Sequence, residues 1–372
     1  MNFPFNKPFL AGREKQYLDE ALVSGKLSGN GDFTRRCQTL LETKYGLRKT
    51  LLTTSCTDAL ELAALLIDIQ PGDEVIIPSY TFVSTANAFA LRRAKIVFAD
   101  SQNEHPNLDA GGLEALITPR TRAIIPVHYG GQSCDMPTIM QLAKKHSLWV
   151  VEDAAQAIDS AADGKFLGGI GHLGAFSFHD TKNIIAGEGG ALSINHGPFI
   201  RRAEILWEKG TNRSAFFRGE VDKYGWVDVG SSFLPSELIA AFLLAQLEEV
   251  EKIQRMRMQA WRVYQSALLA LQNHGVLVMP DFPHNAHLFY LVCRSLDERT
   301  ALIAHLKAQG IASVFHYLSL HKSPYFAARH DGRDLPNADR FTDCLLRLPM
   351  YAELGADGAQ RICEAILSFY NR

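Results

Sequence analysis

The sequence predicts an α/β protein, with a mostly parallel seven-stranded sheet covered by helices and a smaller C-terminal α+β domain. Three observations carry this. Short β-rich runs recur through the first half, several of them separated by stretches of helical spacing, the alternation that crossover connections produce. The runs EVIIP, AIIPV and LWVV are almost continuously apolar, which suits strands buried on both faces. After Ser236 the pattern changes to one long helical stripe and then to shorter mixed elements.

Taken in order, the strands are expected at Thr50–Thr53, Glu74–Pro78, Lys95–Ala99, Arg122–Val127, Leu148–Glu152, Ala175–Phe178 and Ala191–Ile194. Between them, Asp58–Ile67, Ser84–Leu91, Leu113–Ile117 and Pro137–His146 carry helical spacing. Ile239, Leu243, Leu247, Val250 and Ile253, continued by Met256, Ala260, Tyr264, Leu268 and Leu271, predict a single long helix bridging two domains. The large domain, with an N-terminal arm, is expected over residues 1–250 and the small one over 251–372. In the latter, elements are expected at His287–Val292, Arg299–Gln309, Ser313–Tyr317 and Ala359–Tyr370.

At 372 residues and 47% hydrophobic content the chain can bury a large core. No apolar run approaches the roughly 20 residues of a membrane span, and MNFPFNKPFL lacks a basic segment followed by an apolar one, so the expectation is a protein without membrane or export signals. Thirty-eight basic and 40 acidic residues give a formal charge of −2, with no basic field to draw the chain to nucleic acid. The six cysteines are scattered without metal-ligand spacing and read as free thiols in a reducing cytoplasm. His284 and His287 read as loop histidines, not as a metal site.

The stretch Trp149–Asn183 places Asp153 at the end of one apolar strand and Lys182 just past another. A lysine amine can form a Schiff base with a cofactor aldehyde, while a carboxylate keeps the cofactor ring nitrogen protonated. A pyridoxal phosphate (PLP) enzyme needs both. Glu152 is the competing acid, but alternation puts it on the opposite face, and Gln156 follows Asp153 where it can reach a ring hydroxyl. Ser55-Cys56-Thr57-Asp58 joins a strand to a helix and offers free N–H groups and a positive helix end to a phosphate. Alone, each has an ordinary reading, as helix cap or surface charge; the functional reading rests on the combination. Gly169-Ile-Gly171-His-Leu-Gly174 spells G-x-G-x-x-G but precedes a strand, so it is no dinucleotide fingerprint.

The run EDAAQ, then FSFHxxKN and GEGG, with PGDEVIIPSYTFVSTANA upstream, resembles the DegT-type aminotransferases that act on nucleotide-linked keto-sugars, within the fold-type I PLP-dependent transferases. The resemblance covers nearly the whole chain. KGTNRSAFFRGEVDKYGWVDVGSSF and VFHYLSLH are similar to the members that make dTDP-4-amino-4,6-dideoxy-D-galactose for enterobacterial common antigen. The resemblance implies pyridoxal 5'-phosphate as cofactor, L-glutamate as amino donor and dTDP-4-keto-6-deoxy-D-glucose as acceptor. It also implies a homodimer with an active site shared between subunits. Amination at C-3, the C-4 epimer, a PLP sugar dehydratase and a non-catalytic binding protein are the other readings.

Residue by residue, the resemblance implies that Lys182 carries the cofactor and shuttles the proton. Asp153 would pair with the ring nitrogen, Gln156 would meet the ring oxygen, and Phe82 would cover one ring face. Cys56, Thr57 and Ser177 would hold the phosphate, joined across the dimer by Ser232, a hydroxyl where the family usually has an amide. His316, Tyr317 and His321 would lie on the substrate side, and Lys209, Arg213 and Arg218 would meet the diphosphate.

Overall fold

The structure, a computed structural model, describes residues 2–371. Seven strands form the main sheet: β1 (Thr50–Thr53), β2 (Glu74–Pro78), β3 (Lys95–Ala99), β4 (Thr121–Ile124), β5 (Trp149–Asp153), β6 (Leu173–Ser177) and β7 (Gly190–Ile194). Their order across the sheet is β1-β7-β6-β5-β4-β2-β3. All pairings are parallel except those of β7, which runs antiparallel to both β1 and β6. Register aligns Asp153 with Ala175 and sets Gly190 opposite both Ser177 and Thr53. The carboxyl ends of β1, β5 and β6 and the start of β7 therefore meet along one edge, where open α/β sheets take ligands.

Helices cover the sheet. Two precede it, α1 (Glu14–Val23) and α2 (Asp32–Tyr45), in the stretch read from sequence as an arm. α3 (Cys56–Leu66), α4 (Val83–Ala90) and α5 (Met136–His146) cross between strands, α6 (Ile200–Trp207) and the short α7 (Arg213–Phe217) follow, and α8 (Glu237–Glu248) packs against α1 and α2. Buried Glu237 on α8 accepts hydrogen bonds from the N–H groups of Gly31, Phe33 and Thr34. That satisfies the N-terminal donors of α2 from another element.

Three expectations about local structure need correction. Residues 113–117 form no α-helix but a 3-10 turn, Glu114–Leu116, that follows another at Ala110–Gly112, because Gly111 and Gly112 on one side and Pro119 on the other deny the segment a stable helical run. The long helix is two helices, α8 and α9 (Val250–Leu268), separated at Glu249 with φ −107° and ψ 14°. β4 stops at Ile124 and not Val127, since Pro126 has no N–H to continue the ladder.

Beyond α9, a three-stranded antiparallel sheet is built from β8 (Leu277–Val278), β9 (Tyr290–Val292) and β10 (Leu345–Arg347), with α10 (Leu296–Ala308), α11 (Pro336–Cys344) and α12 (Gly355–Tyr370) around it. α12 lies along α9. Residues 313–317 form no strand; Val314 alone bridges Arg347, while the His316 carbonyl accepts from the hydroxyls of Tyr80 and Tyr129. Among the described residues, no helix is long and apolar enough to cross a membrane.

Candidate active site

A cavity of about 510 Å³ opens at the carboxyl edge of the main sheet. Its wall is assembled from segments far apart in sequence: Ser55, Cys56 and Thr57 between β1 and α3; Phe82, Ser84 and Thr85 at the start of α4; Asp153, Gln156, Ser177 and Lys182 after β5 and β6; and His287, His316, Tyr317 and Arg347 from the C-terminal part.

The turn before α3 carries several donors. Ser55 caps the helix, its hydroxyl accepting from the Asp58 N–H at 3.0 Å, and Thr57 donates to Ser84 at 2.8 Å. The remaining first-turn N–H groups have no carbonyl within the helix to meet. Gly190 starts β7 against this turn: a Cβ there would lie 2.5 Å from the Cys56 nitrogen and would run into the Ser55 carbonyl. Only glycine lets the strand come so close. Burial pushes the Cys56 thiol well above its ordinary range, so it packs as a neutral group.

Asp153 is buried in the opposite wall. Its carboxylate accepts from Thr85 Oγ1 at 2.7 Å and from the Ala155 N–H at 3.1 Å. Burial raises its pKa, and these two donors and the nearby Lys182 charge only partly restore it. Such a carboxylate, desolvated with few donors, is poised to accept a cationic N–H. Glu152, its neighbour, faces away: it takes the N–H groups of Gly168, Ile170 and Gly171 and pairs with His128 at 2.9 Å. The chain uses one acid to hold its own loop and leaves the other to the cavity.

Lys182 sits in the turn after β6, its backbone N–H on the His179 carbonyl at 2.9 Å. Its half-buried side chain lines the cavity. Gln156 is fixed at both ends, accepting from the Gly130 N–H at 2.7 Å and donating to the Tyr317 hydroxyl at 3.1 Å. The Tyr317 ring lies 5.9 Å from that of Phe82, and the Tyr317 N–H reaches the Tyr80 hydroxyl at 2.7 Å.

Of the residues singled out in the sequence, Cys56, Thr57, Phe82, Asp153, Gln156, Ser177, Lys182, His316 and Tyr317 come together on this cavity. Lys209, Arg213, Arg218, Ser232 and His321 do not line it. Arg218 is held by Glu204 and Glu220, each at 2.8 Å, and the Arg213 guanidinium lies 5.1 Å over the Phe217 ring. Ser232 is exposed and bridges Glu208. His321 is buried, with Nδ1 2.7 Å from the Ser79 hydroxyl. Thr85 and Arg347 line the cavity without having been singled out, and so does His287, which the sequence offered only as a loop histidine. Thr85 had a faint signal in its place three residues after Phe82; Arg347, inside the strand-like run LLRLP, had none.

A helix N-terminus rimmed with hydroxyls suits a phosphate, a buried carboxylate suits a protonated ring nitrogen, and a cavity-facing amine suits an aldehyde. The donor set therefore fits PLP, and on this sheet it defines a fold-type I PLP-dependent transferase. Comparison with known proteins carries this to the family. The chain belongs to the DegT/DnrJ/EryC1/StrS aminotransferase family, which it matches over residues 8–367. It is 34% identical over 377 residues to the spore coat polysaccharide biosynthesis protein SpsC of Bacillus subtilis (strain 168), covering 98% of this chain and 96% of that protein. Among solved structures, Helicobacter pylori PseC, an aminotransferase involved in the biosynthesis of pseudoaminic acid, superimposes with a TM-score of 0.90 at 25% identity, covering all of both chains. The PLP form of the putative sugar aminotransferase Spr1654 from Streptococcus pneumoniae gives 0.90 at 26% identity, covering 100% of this chain and 99% of that one. The protein is a PLP-dependent aminotransferase of the sugar aminotransferase family.

Proposed function

We propose that this enzyme transfers the amino group of L-glutamate to the C-4 keto group of dTDP-4-keto-6-deoxy-D-glucose, giving dTDP-4-amino-4,6-dideoxy-D-galactose in the cytoplasm. The observation that carries the transamination is the presence of Lys182 and Asp153 on one cavity wall system. The sugar acceptor is supported by the segments 209–233 and 314–321, and by relatives named for spore coat polysaccharide and pseudoaminic acid biosynthesis.

When bound, PLP supplies an electron sink for the carbon that loses its proton. The chain's own residues do the rest. Lys182 Nζ would hold the cofactor aldehyde and would move the proton to and from the reacting carbon as general base and acid. Asp153, kept in place by Thr85 and Ala155, holds the positive charge opposite it. Cys56, Thr57 and Ser177 would hold the phosphate, Phe82 would cover a ring face, and Gln156 would meet the ring oxygen. His316 and Tyr317 flank the sugar. Ser232, Lys209, Arg213 and Arg218 lie off this cavity; in a homodimer Ser232 would reach the phosphate across the interface, and Lys209, Arg213 and Arg218 would meet the diphosphate.

The test is the visible absorption spectrum of the PLP-loaded protein, first with L-glutamate and then with dTDP-4-keto-6-deoxy-D-glucose. Loss of the cofactor band with glutamate and its return with the sugar are expected. A band that ignores both would overturn the reading. Proton couplings in the product separate C-4 amination from C-3 amination, and the galacto product from its epimer.

A further inference from the structure

Asp153 and Lys182 stand on different loops. Asp153 ends β5 and Gln156 follows it, while Lys182 lies past the end of β6 at Ser177. The ladder between these strands ends at the pair of Asp153 and Ala175, so it does not reach Lys182. Among the described residues, no hydrogen bond runs directly from the turn carrying Lys182 to the segment after Asp153.

The two loops are joined from the C-terminal part. Asn285, in the connection between β8 and β9, is buried and does not line the cavity. Its Nδ2 donates to the Gln156 carbonyl at 2.9 Å and to the Ile158 carbonyl at 2.8 Å, and its Oδ1 accepts from the His287 N–H at 3.0 Å. Its own carbonyl accepts from Asn183 Nδ2 at 2.8 Å. Asn183, buried beside Lys182, also donates to Gln254 on α9 at 2.9 Å, and its Oδ1 lies 2.9 Å from His287 Nδ1. An amide oxygen only accepts, so His287 carries its proton on Nδ1. Gly131 makes room for this hub, since a Cβ there would run into the Asn285 amide.

Each end of the Asn285 amide faces partners that only that end can serve, carbonyls for Nδ2 and an N–H for Oδ1. A buried network satisfied in this way is rigid, because displacing any member leaves a polar group unpaired. One residue thus bridges the loops, its side chain on the Gln156 segment and its main chain on Asn183. Chemistry by a positioned amine is sensitive to such a bridge, since a displacement of about 1 Å can cost about 10²-fold in rate.

We propose that Asn285 is a positioning residue for transamination: acting through Asn183, it sets the Lys182 amine against Asp153 and Gln156. This deepens the proposed function and rests on its assignment of Lys182.

The experiment compares PLP-loaded wild type, Asn285→Ala, Asn183→Ala and the double variant. Three quantities are read: the rate at which saturating L-glutamate removes the cofactor band, the glutamate half-saturation, and the pH at which the band titrates with no donor present. Each single variant should slow band loss at least about tenfold, with half-saturation held within about twofold, the pattern of lost alignment and not of lost binding. The band titration should move by at least about half a pH unit, because the proton it follows depends on how Lys182 is placed beside the cofactor. The Asn285 link reaches Lys182 only through Asn183. The double variant should therefore melt below Asn183→Ala yet react no more slowly, a separation that a purely structural role would not produce.

A folded, PLP-loaded Asn285→Ala with wild-type rate and band titration overturns the proposal. So does a rise in glutamate half-saturation without slower band loss, or a double variant slowed by the product of the single effects, which would make the two residues independent. Should Asn285→Ala fail to fold, a wild-type rate in Asn183→Ala is enough to reject it. A wild type whose band ignores glutamate removes the donor assignment instead, and the band titration of the variants still judges Asn285.

Discussion

Thr85, on the first turn of α4, donates its hydroxyl to the Asp153 carboxylate at 2.7 Å. The link spans 68 positions of sequence and joins the helix that follows β2 to the end of β5. Burial raises the Asp153 pKa, and Thr85 is the foremost of the donors that hold it back. Thr85→Val keeps the shape and deletes the donor, so the carboxyl should rise further. A folded pKa above the unfolded one gives stability that is present at low pH and lost as pH rises through the folded value. The variant without cofactor should therefore be less stable near pH 7 by about 1–3 kcal/mol, the usual worth of a hydrogen bond to a charge. The deficit should shrink as the pH falls toward the carboxyl's own range. Denaturant melts at a series of pH values measure this, and a pH-independent deficit would assign Thr85 to packing alone.

Gly190 governs how closely β7 approaches the turn before α3. Its φ is not in the left-handed region; the constraint is space, with the Ser55 and Cys56 backbone where a methyl would go. Gly190→Ala should push the strand from the turn and disturb the donors assigned to the phosphate. PLP affinity, read by fluorescence on adding cofactor to the stripped protein, should fall at least about tenfold, the equivalent of 1.4 kcal/mol. Unaltered affinity would mean that the turn has room the structure does not display.

Glu74 offers a test of the scaffold with opposite sign. Its side chain is buried at the start of β2, accepting from Thr118 at 2.6 Å, Arg120 at 2.9 Å and Lys95 at 3.1 Å. Burial alone would raise its pKa, but the three donors prevail and hold it at about 2. A depressed folded pKa gives stability that is present above the unfolded value and lost as pH falls through the folded one. Glu74→Gln should cost about 1–2 kcal/mol at pH 7, a figure kept small because both cations are solvent-screened. The cost should fade between pH 4.5 and pH 2. Equal melts for variant and wild type at pH 7 would reject the account.

All seven sheet strands were legible because each is a short apolar run and most are sealed on both faces; their order across the sheet was not, since crossovers leave no mark in local composition. Glu249 shows the limit of periodicity: the apolar stripe continues from Leu247 to Val250 without interruption, so nothing in spacing reveals that the backbone breaks there. In the site, alternation put Asp153 and Glu152 on opposite faces, and Gln156 three residues on decided for Asp153. Thr85 and Arg347 escaped because they act through space, one from a helix of small residues and the other from a strand of leucines. His316 and Tyr317 face the cavity, whereas a 3-10 turn at Leu320–Lys322 carries the His321 ring to Ser79, a turn that spacing does not announce.

Lys182 carries the sharpest prediction. Its amine is the group on the cavity wall assigned both to hold the cofactor and to move the proton. Lys182→Ala removes a half-buried side chain from a turn whose backbone is fixed independently, by the bond from its N–H to the His179 carbonyl and by the buried Asn183 beside it. The fold should therefore persist, with a thermal melt within a few degrees of wild type. PLP should still associate through Asp153 and the α3 turn, but reversibly, so that gel filtration strips it. Loss of the general base and the covalent anchor together should lower turnover by at least about 10³-fold, since general acid–base catalysis alone contributes 10²–10⁴-fold. Turnover is measured as 2-oxoglutarate released from L-glutamate in the presence of the keto-sugar. Activity within tenfold of wild type in a folded, PLP-supplied Lys182→Ala would show that another group moves the proton, and the assignment of this cavity would have to be rebuilt around it.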